Sequence, residues 1–133
     1  MPFAYTLDQS RRIVRSRAWG AVDVQDLSDH LEEMRALFAD GTLDGRWRQL
    51  ADFSGAESFE DVSTSGIRHV AAFNPWPPTS RRVILAPQPE AYGLARMYQL
   101  LLGADDNQLT IVRAEDEAQA LLNLPDAARI EDR

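Results

Sequence analysis

The chain has 133 residues, a formal net charge of −7 and no cysteine. This length fits one domain with its own core, and the lack of cysteine excludes disulfides, thiolate metal ligands and cysteine nucleophiles. All 14 basic residues are arginine and 21 acidic residues outweigh them, which argues against nucleic acid or an anionic membrane as the main partner. No apolar run approaches the length of a membrane span and the N-terminus lacks the order of a signal peptide, so we expect a cytoplasmic protein.

The chain begins with a predicted β-hairpin. Its first strand alternates apolar and polar residues, the period of a half-buried strand, and the apolar ones are Phe3, Tyr5 and Leu7. The second strand, from Arg12 to Gly20, places small side chains on the face that we expect to lie under a helix: Val14, Ser16 and Ala18. Trp19-Gly20 marks the predicted exit from this strand.

A helix with one apolar stripe is predicted next. Asp23 is a suitable N-cap, and Gly41 ends the helix. The stripe has intervals of three and four, and its members are Val24, Leu27, Leu31, Met34 and Phe38. His30 falls on the polar side of this helix. We expect it, like His69, to be a solvated or core histidine and not a metal ligand, because no second ligand lies at metal spacing.

The segment from Trp47 to Phe53 is predicted to form a third strand, with Asp52 at its carboxyl end. Ser54-Gly55 is predicted to begin a loop. Ligands of open α/β sheets bind beyond the carboxyl ends of the strands. Asp52 and Ser54 are therefore candidate binding residues, although ending a strand and shaping a turn is the commoner role of such residues.

A second predicted helix begins at Asp61 or Ser63, either of which is a suitable N-cap. Two interpretations of Ser63 and Ser65 are open: local capping, or modification by a phosphate that the helix dipole would favour. The segment Asn74-Pro75-Trp76-Pro77-Pro78 stops the helix and predicts an extended surface loop. Because that loop exposes Trp76, we expect the protein to self-associate, as a homodimer for example.

The central predicted unit is a strand and helix between Arg81 and Gly103. Val83 to Ala86 is apolar without alternation, which predicts an interior strand covered on both faces. Ala91 to Leu102 has helical spacing and stops at Gly103.

Three residues near the start of this helix are further binding candidates: Tyr92, Gly93 and Arg96. We expect Gly93 to permit close packing on the sheet. Arg96 shares a face with Tyr92 and is expected to form a structural ion pair or to contact an anionic ligand.

The last predicted elements are a strand from Gln108 to Arg113, after a turn at residues 104–107, and a helix from Glu115 that Pro125 ends. The order is thus ββαβαβαβα, in one domain of residues 1–125 with a disordered tail at 126–133. Helical crossovers make the later strands parallel, so the fold class is α/β with a mixed, mainly parallel sheet.

Three segments resemble the SpoIIAA-like group, the small bacterial proteins of STAS/SEC14 type: DFSGAESFEDVSTSGIR from Asp52, RRVILAPQPEAYGLARMYQLL from Arg81 and TIVRAEDEAQALL from Thr110. The resemblance covers nearly the whole domain and implies the SpoIIAA-like fold, in a branch mostly of unknown function. Sporulation anti-sigma-factor antagonists of the wider superfamily carry a serine, directly after an acidic residue, that a partner kinase phosphorylates. Here Val62 follows Asp61, which predicts that Ser63 and Ser65 act as caps.

Two functions from different classes are open. The first is a non-enzymatic regulatory or protein-binding module whose surface near residues 61–66 docks a partner. The second, implied by the SEC14 side of the resemblance, is a binder of a small, largely apolar ligand or lipid between the sheet and a helix, with Tyr92, Met97 and Leu101 as lining. No phosphate-binding glycine loop, nucleophile elbow or dinucleotide fingerprint is present, so neither a cofactor nor catalysis is expected, and an acid/base enzyme using Asp52 is a remote third.

Overall fold

The computed structural model describes residues 2–60, 62–104 and 108–123. In this part of the chain the strands are β1 (Phe3–Asp8), β2 (Ile13–Asp23), β3 (Arg48–Glu60), β4 (Arg82–Leu85) and β5 (Leu109–Val112). The helices are α1 (Val24–Ala39), α2 (Thr64–Ala72), α3 (Pro89–Leu102) and α4 (Glu115–Asn123). The predicted order ββαβαβαβα is confirmed. None of these four helices has the combination of length and apolar character that crossing a membrane requires.

The strands form one sheet in which spatial order equals chain order, β1-β2-β3-β4-β5. β1 pairs antiparallel with β2, and the three other pairings are parallel. A helix joins the strands of each parallel pair, because the chain must return to the same end of the sheet before the next parallel strand begins. The predicted mixed, mainly parallel α/β sheet is therefore confirmed.

The two faces of the sheet pack against different helices. Side chains alternate along a strand, so Val83 and Leu85 of β4 pack toward α4, whereas Ile84 belongs to the larger cluster under α1, α2 and α3. All four residues of β4 are buried, and Ala86 is 0 % exposed. The prediction of an interior strand covered on both faces is confirmed.

β2 and β3 are longer than the sequence predicts. Their parallel pairing continues to Asp23 and Glu60, with register shifts near Trp19 and Gly20. Gly20 has a φ of +69°, a left-handed conformation that glycine adopts at little cost where a strand bulges. The prediction that β2 exits at Trp19-Gly20 is wrong, and so is the prediction that Ser54-Gly55 begins a loop, because each strand satisfies the backbone of the other.

The helix termini follow local sequence signals. Asp23 and Asp26 form a capping box, in which each carboxylate accepts the backbone N–H of the other residue at 2.8 and 2.9 Å. Gly103 ends α3 with a φ of +68°. The alternative cap Asp61, the turn residues 105–107 and the predicted tail 126–133 lie outside the described residues.

Trp76 is buried, contrary to the prediction of an exposed loop tryptophan. It is 5 % exposed, and its ring lies edge-on against Phe38 of α1 with 5.1 Å between centroids. Prolines keep this segment out of strands and helices, but the loop folds back over the start of β4. Trp47 is buried too, whereas Trp19 is 39 % exposed, so burial of Trp76 removes the main argument for association through tryptophans.

The burial of β4 predicts the outcome of truncating Ile84, which is 5 % exposed. Ile84→Ala should lower the free energy of unfolding by about 2 to 5 kcal/mol, because it removes buried methyl groups and leaves a void. Ile111, the half-buried register partner of Ile84 on β5, provides the matched control. Ile111→Ala should cost less in the same urea titration, and an Ile84→Ala midpoint equal to wild type would contradict the interior assignment.

Candidate functional site

A cavity of about 80 Å³ lies between the sheet and helices α1, α2 and α3. Alternate residues of the strands form its floor, and the inner faces of the helices form its roof. Its lining is mostly apolar, with four polar exceptions: His30, Gln49, Arg82 and Tyr98. Apolar cavities with a few convergent polar groups are typical of small-molecule sites, so this is the candidate functional site.

A chain of hydrogen bonds links three strands to α1 beside the cavity. The Nε of Arg82 donates to Oε1 of Gln49 at 2.9 Å, and Nε2 of Gln49 donates to Oγ of Ser16 at 3.1 Å. The Ser16 Oγ lies 2.8 Å from Nε2 of His30. The serine hydroxyl accepts from Gln49 and also pairs with the ring, and the donor in that second bond depends on the tautomer of His30.

Arg82 is a buried cation whose hydrogen-bond partners are neutral. It is 6 % exposed, and its Nη1 donates to Oδ1 of Asn74 and to the hydroxyl of Tyr98, both at 3.1 Å. The guanidinium also lies 5.4 Å from the ring centroids of Trp76 and Tyr98. No carboxylate of the described residues pairs with it, so amide oxygens and aromatic faces hold its charge.

His30 is a buried neutral ring at the same end of the cavity. It is 5 % exposed and stacks on Phe3 at 4.8 Å between centroids. Burial, and then the charge of Arg82, lower the pKa of His30 from 6.5 to about 4. Its Nδ1 lies 3.6 Å from Oε1 of Glu33, which is too long for a hydrogen bond, and with a neutral ring this contact is no salt bridge.

The prediction that His30 lies on the polar side of its helix is wrong. β1 covers that side of α1 with Phe3 and Tyr5. The apolar stripe reflects the pattern of α1 alone, while the burial of His30 depends on β1, which precedes α1 in the chain. The alternation of Phe3 and Tyr5 in the hairpin is the sequence signal that indicates it.

Asp52 and Ser54 lie within β3 and not at its end. The Oδ1 of Asp52 accepts the backbone N–H of Ser54 at 2.8 Å and its hydroxyl at 2.6 Å. Gln88, the N-cap of α3, donates through Nε2 to the carbonyl oxygens of Ser54 and Ala56, both at 3.0 Å. The start of α3 therefore lies beside these residues, while the Asp52 carboxylate is engaged locally.

The three candidates on α3 do not line the cavity. Tyr92 lies under the guanidinium of Arg113, 4.2 Å from its ring centroid. Gly93 is exposed, and open space surrounds the position that a Cβ would take, so the expectation of close packing is wrong. Arg96 is exposed and donates to the side chain of Gln99, and it forms no ion pair with a carboxylate of the described residues.

The residues of α3 that line the cavity differ from the predicted ones. Tyr92, Met97 and Leu101 are the predicted lining, whereas the structure places Ala91, Leu94, Ala95 and Tyr98 there. The spacing of these four is that of a single inner stripe. The predicted pocket location between sheet and helix is therefore observed, with a different lining.

Ser63 and Ser65 lie at the exposed start of α2. The Ser63 Oγ accepts the backbone N–H of Gly66 at 3.2 Å and lies 3.2 Å from the Ser65 Oγ. Ser63 thus caps the helix as the sequence predicts. In the described part of the chain, no group of three or more histidine and carboxylate side chains is arranged to hold a metal ion.

Comparison with solved structures identifies the fold. No family model and no curated protein matches the sequence. The unphosphorylated form of the anti-sigma factor antagonist SpoIIAA matches with a TM-score of 0.56 and 14 % identity, over 93 % of this chain and 98 % of that one. An uncharacterised DUF3478-family protein with a SpoIIAA-like fold, from Shewanella loihica PV-4, matches with a TM-score of 0.60 and 11 % identity, over 90 % and 93 % of the two chains.

The phosphorylated form of SpoIIAA, a Bacillus cell fate determinant, matches with a TM-score of 0.53 and 16 % identity, over 90 % of this chain and 99 % of that one. At sequence identities this low, the structural matches show a shared fold and nothing further. The chain therefore has a SpoIIAA-like fold, and the resemblance seen in the sequence is confirmed at that level.

The lowered pKa of His30 predicts a loss of stability in acid. Between pH 6.5 and about 4 the unfolded chain binds a proton at this site more readily than the folded protein does, so stability is complete above pH 6.5 and falls as the pH drops toward 4. His30→Gln removes this contribution. Wild type should therefore lose roughly 2 kcal/mol more than the variant between about pH 7.5 and about pH 5 in urea titrations. His69→Gln, at an exposed histidine, is the control, and equal losses in wild type and His30→Gln would contradict the assignment.

The cap at α2 predicts a stability difference between its two serines. Ser63→Ala should lower the free energy of unfolding by about 1 kcal/mol, because the N–H of Gly66 loses its acceptor. Ser65→Ala should change it by less than about 0.5 kcal/mol, since Ser65 is an exposed first-turn residue. Thermal and chemical denaturation of both variants measures this, and equal costs would show that Ser63 is not the cap.

Proposed function

We propose that the protein is a non-enzymatic regulatory or protein-binding module of the cytoplasm, whose partner docks on the outer face of α3. The observation that carries the proposal is the exposure of two adjacent leucines on that helix: Leu100 is 71 % exposed and Leu101 is 38 % exposed. Clustered exposed apolar residues indicate contact surfaces. The SpoIIAA-like fold supports a regulatory role, since one solved structure with this fold is an anti-sigma factor antagonist.

The rest of the outer face of α3 fits this use. Gly93, Met97 and Leu100 follow one another at intervals of four and three, so they share one side of the helix. Glycine destabilises a helix interior, yet open space surrounds the position that a Cβ at Gly93 would take. No close contact within the described structure therefore accounts for a glycine here. A partner can approach the backbone closely at this point, and Arg96 beside it adds a positive charge at the edge of the surface.

The start of α2 forms a second part of the proposed docking surface. α2 packs against α3, and Ser63 and Ser65 are exposed at its first turn. Because Ser63 already accepts the N–H of Gly66, we assign its hydroxyl to capping. We propose binding that does not depend on phosphorylation of Ser63 or Ser65. The partner is a protein, with a second copy of this chain as one candidate.

A second candidate function is the binding of a small, largely apolar ligand. The cavity of about 80 Å³ and its mostly apolar lining support it. The cavity lies on the inner side of α3 and the proposed docking surface on its outer side, so the two functions are compatible.

Leu100→Glu tests the docking surface. Because this side chain is mostly in solvent, the fold should be retained, while a carboxylate buried in a contact should weaken partner binding by about tenfold or more. Sedimentation velocity over a range of concentrations tests a second copy as partner. Affinity capture from the native cell with quantitative mass spectrometry tests other proteins.

Ala36→Glu is the matched control, since it adds the same charge at an exposed position of α1. Partners retained by Ala36→Glu and lost by Leu100→Glu would support the docking surface. Equal self-association and equal capture by wild type and both variants would overturn it.

A further inference from the structure

We infer that the cavity binds a small apolar monocarboxylate, with its carboxylate at Arg82 and its hydrocarbon chain directed toward Phe53 and Phe59. This inference rests on the second candidate function and specifies the chemical class of the ligand. A linear fatty acid of short to medium chain length is the ligand that fits the charge, volume and shape described below.

The first observation is a buried cation with unused donors. Burying a charge costs free energy unless an opposite charge or several hydrogen bonds compensate it. Within the described residues, Nε and Nη1 make all side-chain hydrogen bonds of Arg82, to Gln49, Asn74 and Tyr98. Nη2 makes no hydrogen bond to the described residues, so its N–H groups are available to a ligand in a cavity that Arg82 lines. A carboxylate is the acceptor that a guanidinium binds most strongly.

The second observation is the polar groups next to this cation. The His30 Nδ1 is buried and has no hydrogen-bond partner in the described structure, and His30 lines the cavity together with Gln49 and Tyr98. With a neutral ring, Arg82 is the single charged residue among the described residues of the lining. One cation matches one negative charge, whereas a dianionic phosphate would leave excess charge in an apolar cavity.

The third observation is the aromatic side of the cavity. Phe53 lies 5.8 Å from Phe3 and 6.2 Å from Phe59, measured between ring centroids. These three rings are half-buried whereas Gln49 and Arg82 are buried, so the cavity opens on the aromatic side. The site is therefore amphipathic, with its polar groups inside and its apolar opening toward solvent.

The register of the strands gives the length of the site. Gln49 pairs with Arg82 at the start of β3 and β4, and Phe53 follows four residues later on the same face of β3. Four residues of a strand span roughly 13 Å, which is the scale of a medium-chain fatty acid. The cavity of about 80 Å³ is smaller than the apolar cavity of about 150 Å³ that holds a benzene ring, so a linear chain that leaves through the opening fits better than a ring.

The test uses octanoate as the probe and octanol as its uncharged analogue, in calorimetric titrations of the full chain. Wild type should bind one octanoate, about tenfold or more tighter than octanol. Arg82→Met should remove this preference, while Arg68→Met, the same change at an exposed arginine of α2, should keep it. Arg82 also lines a second cavity, of about 100 Å³ beside Trp76 and Leu109, which Ala95 does not line. Ala95→Leu should therefore weaken both probes only if they bind in the cavity between the sheet and α3.

The outcomes separate the inference from the function on which it rests. If wild type binds neither probe, the second candidate function and this inference both fall. If octanol binds as tightly as octanoate, the site takes apolar ligands and the role of Arg82 is overturned. The comparison of the two probes on wild type decides this even if Arg82→Met does not fold, and unchanged octanoate binding by Ala95→Leu would show that the ligand does not occupy this cavity.

Discussion

The hydrogen-bonded chain from Arg82 through Gln49 and Ser16 to His30 couples the register of the central strands to the docking of α1. Its four members come from β4, β3, β2 and α1, so they meet only when three strands are in register and α1 is docked. A shift of one residue in β3 would turn Gln49 to the other face of the sheet and leave the Arg82 Nε without its acceptor. Because unpaired buried polar groups are costly, this chain favours one register over its neighbours.

Beside this hydrogen-bonded chain, side chains fill the core on this face of the sheet only in part. The cavity floor and roof carry small residues next to the polar groups, Ala51 on β3 and Ala91 and Ala95 on α3. Close-packed interiors contain few voids larger than a water molecule, so a cavity of about 80 Å³ beside a buried cation is an exception to dense packing. On the opposite face of the sheet the aliphatic side chains Leu50, Val83 and Leu85 pack with Leu122 of α4.

Local signals made much of the fold predictable. The unbroken apolar run of β4, the cap at Asp23 and the glycine that ends α3 each depend on neighbours within a few residues, and the sequence displays them directly. The burial of Trp76 and the extension of β3 past Asp52 depend on partners far along the chain, Phe38 and β2. Composition and periodicity in one segment contain no information about such partners, so these predictions were wrong.

The candidate site was less predictable than the fold for the same reason. The candidate binding residues predicted from the sequence, such as Asp52 and Ser63, are polar residues at the predicted ends of elements. Capping and turn formation are the usual roles of polar residues at such positions. The polar groups of the cavity lie inside elements and are 14 to 33 residues apart along the hydrogen-bonded chain, so only the tertiary fold assembles them. One local clue exists, since alternation in a strand places Arg82 on the same face as the buried Ile84. An arginine that alternation places in a core needs an acceptor there, and in this protein the acceptors are the neutral side chains of Gln49, Asn74 and Tyr98.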